Sequence, residues 1–362
     1  MGILRLLLAL SVVAVHSGNI LGAHLVGGQV AVESFYIISG FYMSLVLNEK
    51  YVDQNNSYYL FISNRLLKLY PIYWTIVFIT ITLSIGSFFL SHGSFAGKLH
   101  SYFEYGQQYG YHEILPAFIF MVFTNLFLVG QDVVMFLGID TATGHLFFTQ
   151  NFATTNPQLS SFLLVPQAWT LGIEIAFYLI APFIVRKNLW VLLTIAFLSL
   201  SLRLFLTSIG LEFDPWSYRF FPNEILFFIV GALAYKIYVP LKGKTTAEWM
   251  PILSLIIVTS LVVFYENIRL PYKTLIYYPL FAGTIPIIFN ATRSWKWDYF
   301  LGELSYPVYI SHMLIYYLLI PLGLQKVEYV GNLLAVLSIG FSILLNLYIV
   351  KPIEKFRQRR LG

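Results

Sequence analysis

Apolar runs close to the width of a bilayer's hydrocarbon core recur from one end of this chain to the other. They fall near residues 3–21, 29–47, 71–90, 115–137, 167–185, 189–208, 222–239, 250–265, 274–290, 301–320 and 331–350. A helix needs about 20 mostly apolar residues to cross about 30 Å of hydrocarbon. Within lipid every backbone polar group must find its partner inside the protein. Of the 362 residues, 58% are hydrophobic and only 11% charged, whereas soluble domains carry about 25% charged residues. The expected fold class is therefore all-α, a polytopic transmembrane helix bundle in a lipid bilayer.

The charges set the expected topology. The net charge of +5 forms no single basic face, so a nucleic-acid partner is excluded. The cations sit in clusters between apolar runs: Arg65/Lys68, Arg186/Lys187, Lys236/Lys242/Lys244, Arg293/Lys296, and Lys351 through Arg360. Loops rich in Lys and Arg stay cytoplasmic. Counting all eleven runs as spans would put Arg186/Lys187 and the basic tail outside. Treating 115–137 as re-entrant or peripheral on the outer side puts every cluster inside. The expected architecture is about ten spanning helices with both termini cytoplasmic. It comprises a membrane domain over 1–355, an outer-side loop or re-entrant region over about 91–166, and a short basic cytoplasmic tail, 356–362.

The outer region carries His92, His100, His112 and His145 but only one Lys and no Arg, Lys98. It reads either as a lid or acceptor-binding surface or as a solvated connector. The first apolar run has the look of a signal peptide, yet its basic region is a single residue, Arg5, and we expect it to be retained as the first helix. The N-x-S/T matches at Asn55 and Asn290 fall on the inner side. With no cysteine there is no disulfide, no thiolate metal site and no Cys-acyl intermediate. The histidines show no close ligand spacing, so no metal is expected.

Ionisable side chains in hydrocarbon cost about 2.5–3.5 kcal/mol each, and each calls for a reason. Arg5 and His16 are eleven residues apart on the first helix, about 16.5 Å of rise and nearly whole turns, so they share a face. Arg5 reads as an interfacial anchor or as the binder of an anionic donor. His16 reads as a packing hydrogen bond or as a proton acceptor. Glu33, in the outer half of the next apolar run, needs a partner, and His16 is the expected one, in the manner of a general-base dyad. Ser39-Gly40-Phe41 allows close helix approach. Arg65 and Lys68, three apart at an expected helix entrance before Pro71, offer two cations on one face, for lipid headgroups or for phosphates. Glu174 and Tyr178 share a helix face behind Trp169. His312 follows Ser305 and Tyr306 in a later apolar run; two intramembrane histidines need not share a site.

These residues together resemble the acyltransferase-3 family of membrane acyltransferases, many of which O-acetylate bacterial surface glycans. Arg5 and His16 match an R-x10-H motif, and Val30 to Phe41 match a Ser-Gly-Phe pattern in which Glu33 replaces the usual Asp. Arg65-x-x-Lys68 stands for R-x-x-R. Trp169, Leu171, Glu174, Phe177 and Tyr178 match W-x-L-x-x-E-x-x-F-Y, and Ser305, Tyr306, Tyr309 and His312 match S-Y-x-x-Y-x-x-H. The resemblance implies an O-acetyltransferase of a bacterial inner membrane with acetyl-CoA or another acyl-CoA as co-substrate and no permanently bound cofactor. Its acceptor would be a glycan or lipid-linked sugar, such as one of lipopolysaccharide O-antigen. In that reading His16 and Glu33 are catalytic, and Arg5, Arg65 and Lys68 hold acyl-CoA. Trp169, Glu174, Tyr178, Ser305, Tyr306 and His312 bind the acceptor or support the site. The chain ends soon after its last apolar run, so the membrane domain is expected to complete the transfer itself. The competing class is a proton-coupled transporter or flippase of a lipid-linked glycan, for which paired cytoplasmic cations have no evident use.

Overall fold

The computed structural model describes all residues except 52–56, 245–246, 248 and 361–362. The match at Asn55 and the last two tail residues lie outside the described residues. Thirteen α-helices occur among those described: α1 (Gly2–Ser17), α2 (Gly28–Glu49), α3 (Ser57–Leu90), α4 (His100–Tyr109), α5 (Leu115–Phe127), α6 (Trp169–Ile184), α7 (Leu189–Ser208), α8 (Phe221–Tyr238), α9 (Trp249–Val263), α10 (Lys273–Thr292), α11 (Lys296–Leu319), α12 (Val330–Leu345) and α13 (Lys351–Arg359). Seven helical stretches among them are long and apolar enough to cross a membrane, and α1, α5 and α9 are shorter apolar helices. The protein is a multi-pass helical membrane protein. The all-α expectation omitted one small antiparallel hairpin, β1 (Leu137–Ile139) paired with β2 (Leu146–Phe148). On α7, Trp190, Phe197 and Leu204 are 76%, 67% and 61% exposed, an apolar stripe at seven-residue steps that only lipid would cover.

The chain divides into two compact units. The first comprises Met1–Lys68, Phe177–Ser201 and Glu224–Gly362; the second comprises Leu69–Ala176 and Leu202–Asn223.

In the first unit α1 packs most extensively on α11. Glycines let the two backbones touch: a Cβ on Gly2 would lie 1.5 Å from the Asp298 carbonyl oxygen. The α2–α8 crossing is built the same way, from Gly40 and Gly231, as the Ser39-Gly40-Phe41 pattern implied. A Cβ on Gly40 would lie 1.9 Å from the Phe228 carbonyl oxygen, and one on Gly231 would lie 2.0 Å from that of Ile37. Small residues are the usual means of close approach between membrane helices. α1 ends at Gly18, whose φ of +87° suits a residue without Cβ.

Helix directions in this unit fix how often the chain reverses. Tyr58 and Phe61 near the start of α3 meet Phe183 and Tyr178 on the later part of α6, at ring separations of 5.4 and 6.4 Å. α3 and α6 are therefore antiparallel, and the intervening residues return to the side they left. α2 runs parallel to α8, from the Tyr36–Phe228 contact to the Phe41–Tyr238 contact. It also runs parallel to α10, from Ser34–Tyr277 to Phe41–Phe289. α1 runs parallel to α11, from Gly2–Asp298 to His16–His312. Counting α5 as a crossing would invert every one of these relations. Its 13 residues also make only about 20 Å of helix. With α5 left out, α1–α3 and α6–α12 alternate in direction among the described residues, and seven helical stretches are long and apolar enough to cross a membrane.

The basic clusters gather at one end of this unit. Arg186 donates to the Leu47 and Tyr51 carbonyls, Lys242 pairs with Glu49 at 2.8 Å, and Arg293 donates to the Tyr238 hydroxyl. Two expectations are corrected here. Arg65 and Lys68 lie well inside the 34-residue α3, not at its entrance, and Pro71 is within the helix. The expected boundary at 355/356 falls inside a helix: α13 (Lys351–Arg359) runs through it and buries Arg357, and Arg360 donates to Asn64 and Ser63 on α3 at 3.0 and 2.8 Å.

The second unit shows why the 91–166 region is more than a solvated connector. It has its own core, centred on Tyr102, Tyr105, Ile114, Met121 and Phe162. The buried Asn125 side chain is its polar hub. It donates to the Tyr102 hydroxyl and the Phe162 carbonyl, and accepts from Leu164 N–H at 2.8 Å. The Tyr73 hydroxyl donates to the Asn125 carbonyl at 2.6 Å and accepts from Gln131 at 3.0 Å. Each of these buried groups would cost about 1–3 kcal/mol if left unpaired, which is why α5 and the 159–164 segment hold one arrangement.

Candidate functional site

α1 carries a polar group at each end, and the rest of the first unit builds a different environment around each. At its last turn the His16 side chain is exposed. Packed beside it, with ring centroids 5.3 Å apart and planes inclined by 31°, is His312 of α11, which is fully buried. His312 Nδ1 lies 2.7 Å from the Tyr309 carbonyl oxygen. A carbonyl only accepts, so Nδ1 carries the hydrogen and Nε2 presents a bare lone pair. That Nε2 is buried with no partner, an uncommon condition for a buried polar atom. An exposed imidazole thus stands over a buried one with a free acceptor.

Glu33 is 1% exposed. Its Oε1 accepts from Gln29 at 3.1 Å and its Oε2 accepts from the Tyr278 hydroxyl. Both oxygens are thereby hydrogen-bonded, which suits an ionised carboxylate. Glu33 on α2 and His16 on α1, the expected dyad, stand on neighbouring helices, and the His312 ring packs on that of His16. Nothing in the spacing signals a pair 296 residues apart, although two intramembrane histidines were visible.

At the other end of α1, Arg5 reaches the Tyr42 ring at 5.9 Å. Gly302 leaves room for its guanidinium, since a Cβ there would lie 3.2 Å from Nη1. Lys68 pairs loosely with Glu303 of α11 at 3.6 Å, and the charges of Arg5 and Arg357 also act on Glu303. Arg65 lies against the Phe61 ring at 5.8 Å, and its Nε–H is buried without an acceptor. Arg5, Arg65 and Lys68 are thus brought into one cationic neighbourhood. Glu303 and Arg357 belong to it too, and sequence reading gave them no role. The signal for Glu303 was present, as an unassigned carboxylate in an apolar run. Arg357 read only as one cation of the short basic tail.

The remaining expected residues are placed as follows. Tyr178 is buried in the first unit against Phe61. Ser305 is buried and donates to the Gly302 carbonyl at 2.7 Å, which suits helix packing; Tyr306 is partly exposed on the same helix. Trp169 and Glu174 belong to the second unit. Trp169 is buried with the Arg219 guanidinium 4.2 Å from its ring, and Asp214 clamps that guanidinium at 2.6 and 2.9 Å. Glu174 is partly exposed. Among the described residues no group of three or more His, Asp or Glu side chains could hold a metal ion.

The second unit also contains a perturbed carboxyl. Asp132 lies where Gly172 leaves space, with Oδ1 3.0 Å from the position of an added Cβ. Burial pushes its carboxyl up to about 6, against about 3.9 in an unfolded chain. The protonated form is favoured in the folded state, so this contribution is full below pH ~4 and lost as pH rises through ~6. Thermal melting in detergent between pH 4 and 7 should show this decline, and Asp132→Asn should flatten it.

A family model described as an acyltransferase domain matches residues 1–351. A protein of Aquifex aeolicus (strain VF5), named only as uncharacterized, is 30% identical over 211 residues, which cover 53% of this chain and 89% of that protein. No solved structure matches the chain.

Proposed function

Because this chain belongs to the acyltransferase-3 family and is a membrane acyltransferase, we propose that it transfers acetyl from cytoplasmic acetyl-CoA to a hydroxyl of a surface-glycan or lipid-linked sugar. It would do so in a bacterial inner membrane, on the side away from its basic clusters. The observation that carries this reading is the polarity of α1, with Arg5 amid cations at one end and His16 over a His312 whose Nε2 has no partner at the other. A transferase using a polyanionic donor from one side and a hydroxyl from the other needs both ends.

In this reading Arg65, Lys68 and Arg5 hold the donor's phosphates, and the acyl-pantetheine arm runs along α1. His16 removes the proton from the acceptor hydroxyl as its oxygen attacks the thioester carbonyl. The tetrahedral intermediate then expels the CoA thiolate, which takes the proton from His16. His312 Nε2 accepts a hydrogen bond from the second N–H of the His16 imidazolium and stabilises that charge. Glu33, held by Gln29 and Tyr278, supplies a fixed negative field on the neighbouring helix. The test is release of free thiol from acetyl-CoA by the purified protein in nanodiscs, with and without a membrane extract containing the host's lipid-linked sugars. Acceptor-dependent release is expected. Absence of both release and acetyl-CoA binding would remove the reading.

A further inference from the structure

Two guanidinium groups at the cationic end of the first unit have donors with nowhere to go. Arg357 of α13 is 7% exposed; its Nη1 donates to Glu354 at 2.5 Å, but its Nε–H is buried with no acceptor. Arg65 of α3 has the same orphaned Nε–H. The C-terminal end of α13 is seated on α3 beside Arg65, where Arg360 donates to Asn64 and Ser63, and the charges of Arg65, Glu354 and Glu303 act on Arg357. Holding two like charges with buried, unpaired Nε–H donors is costly, and a single group with several acceptor oxygens and negative charge would relieve both costs. A phosphate has that chemistry, and an arginine fork matches its oxygens. Glu354, which also accepts from Gln358 at 2.5 Å, partly fills the need by neutralising Arg357 from its own helix.

Resting on the donor reading above, we propose that Arg357 and Arg65 form a phosphate site for the acyl donor, reaching from α3 onto α13, and that Glu354 is the internal counter-anion the phosphate replaces. α13 is then part of the donor site. Arg360, bonded to Asn64 and Ser63, fastens this helix to α3.

The test is acetyl-CoA binding to the purified full chain in zwitterionic-lipid nanodiscs, measured by calorimetry for the wild type, Arg357→Gln, Arg357→Lys and Glu354→Gln. Arg357→Gln should weaken binding about tenfold or more, tenfold being about 1.4 kcal/mol. Arg357→Lys should fall between it and the wild type. Glu354→Gln should tighten binding several-fold, an opposite sign that mere damage to α13 would not produce. Thermal melting without donor shows whether Arg357→Gln is folded, and Arg357→Lys and Glu354→Gln decide the matter if it is not. Wild-type binding matched by all three variants would overturn this inference and leave the donor reading standing. Equal acetyl-CoA binding with an Arg357-dependent retention of anionic lipid would overturn it in favour of a headgroup site. No binding by the wild type would overturn the donor reading itself.

Discussion

Replacing His16 with alanine is expected to lower the rate of acyl transfer by about 10²- to 10⁴-fold, the usual contribution of a positioned general base. Donor binding should be nearly unchanged, because the cations lie at the other end of α1, about 16.5 Å of helix away. Stability should be little affected as well, since His16 is exposed and its ring contact is with His312. Steady-state kinetics with saturating acetyl-CoA separate these effects. A variant with unaltered turnover would remove His16 from the chemistry.

The second large effect is on folding. Gly40→Ala would put a methyl group 1.9 Å from the Phe228 carbonyl oxygen, and that neighbour is backbone, not a movable side chain. Overpacking costs about 1–3 kcal/mol where side chains can adjust; here α2 and α8 must move apart. Loss of monodisperse protein on size-exclusion chromatography is expected. Gly340→Ala, on α12 where nothing lies within 4 Å of the added atom, should behave as wild type. Equal behaviour of the two variants would show that the α2–α8 crossing is looser than described.

Much of the bundle was legible because hydrocarbon leaves a chain few options. Runs of apolar residues located the helices, and the charges singled out 115–137 as the odd segment. The opposite directions of α3 and α6 agree with leaving that segment out of the crossings. What escaped was set by local detail or by distance along the chain. Pro71 looked like a helix start, since proline suits a first turn. Yet α3 carries it internally, with Thr75 donating to the Pro71 carbonyl at 2.8 Å. The outer region's core was hidden because polar residues such as Asn125 and Gln131 are buried there for their hydrogen bonds.

The candidate site was legible as residues but not as an assembly. Arg5, His16 and Glu33 stood out as polar groups with no evident reason to be in apolar runs, and Arg65 and Lys68 as paired cations just before one. Their partners come from far away: Tyr278 for Glu33, His312 for His16, Glu303 for Lys68. Each lies more than 230 residues further along, and no periodicity reaches that far. Helix packing alone brings them together, with the Gly2 and Gly302 contact setting α1 against α11 in a register that opposes the two histidines.

The account is tested most directly by supplying acetyl-labelled acetyl-CoA to inside-out membrane vesicles of a host that makes the surface glycan. Wild-type protein should move label into the glycan fraction, and His16→Ala should not. Label reaching the glycan equally with both proteins, or with neither while the wild type drives proton-coupled movement of a lipid-linked sugar, would contradict it.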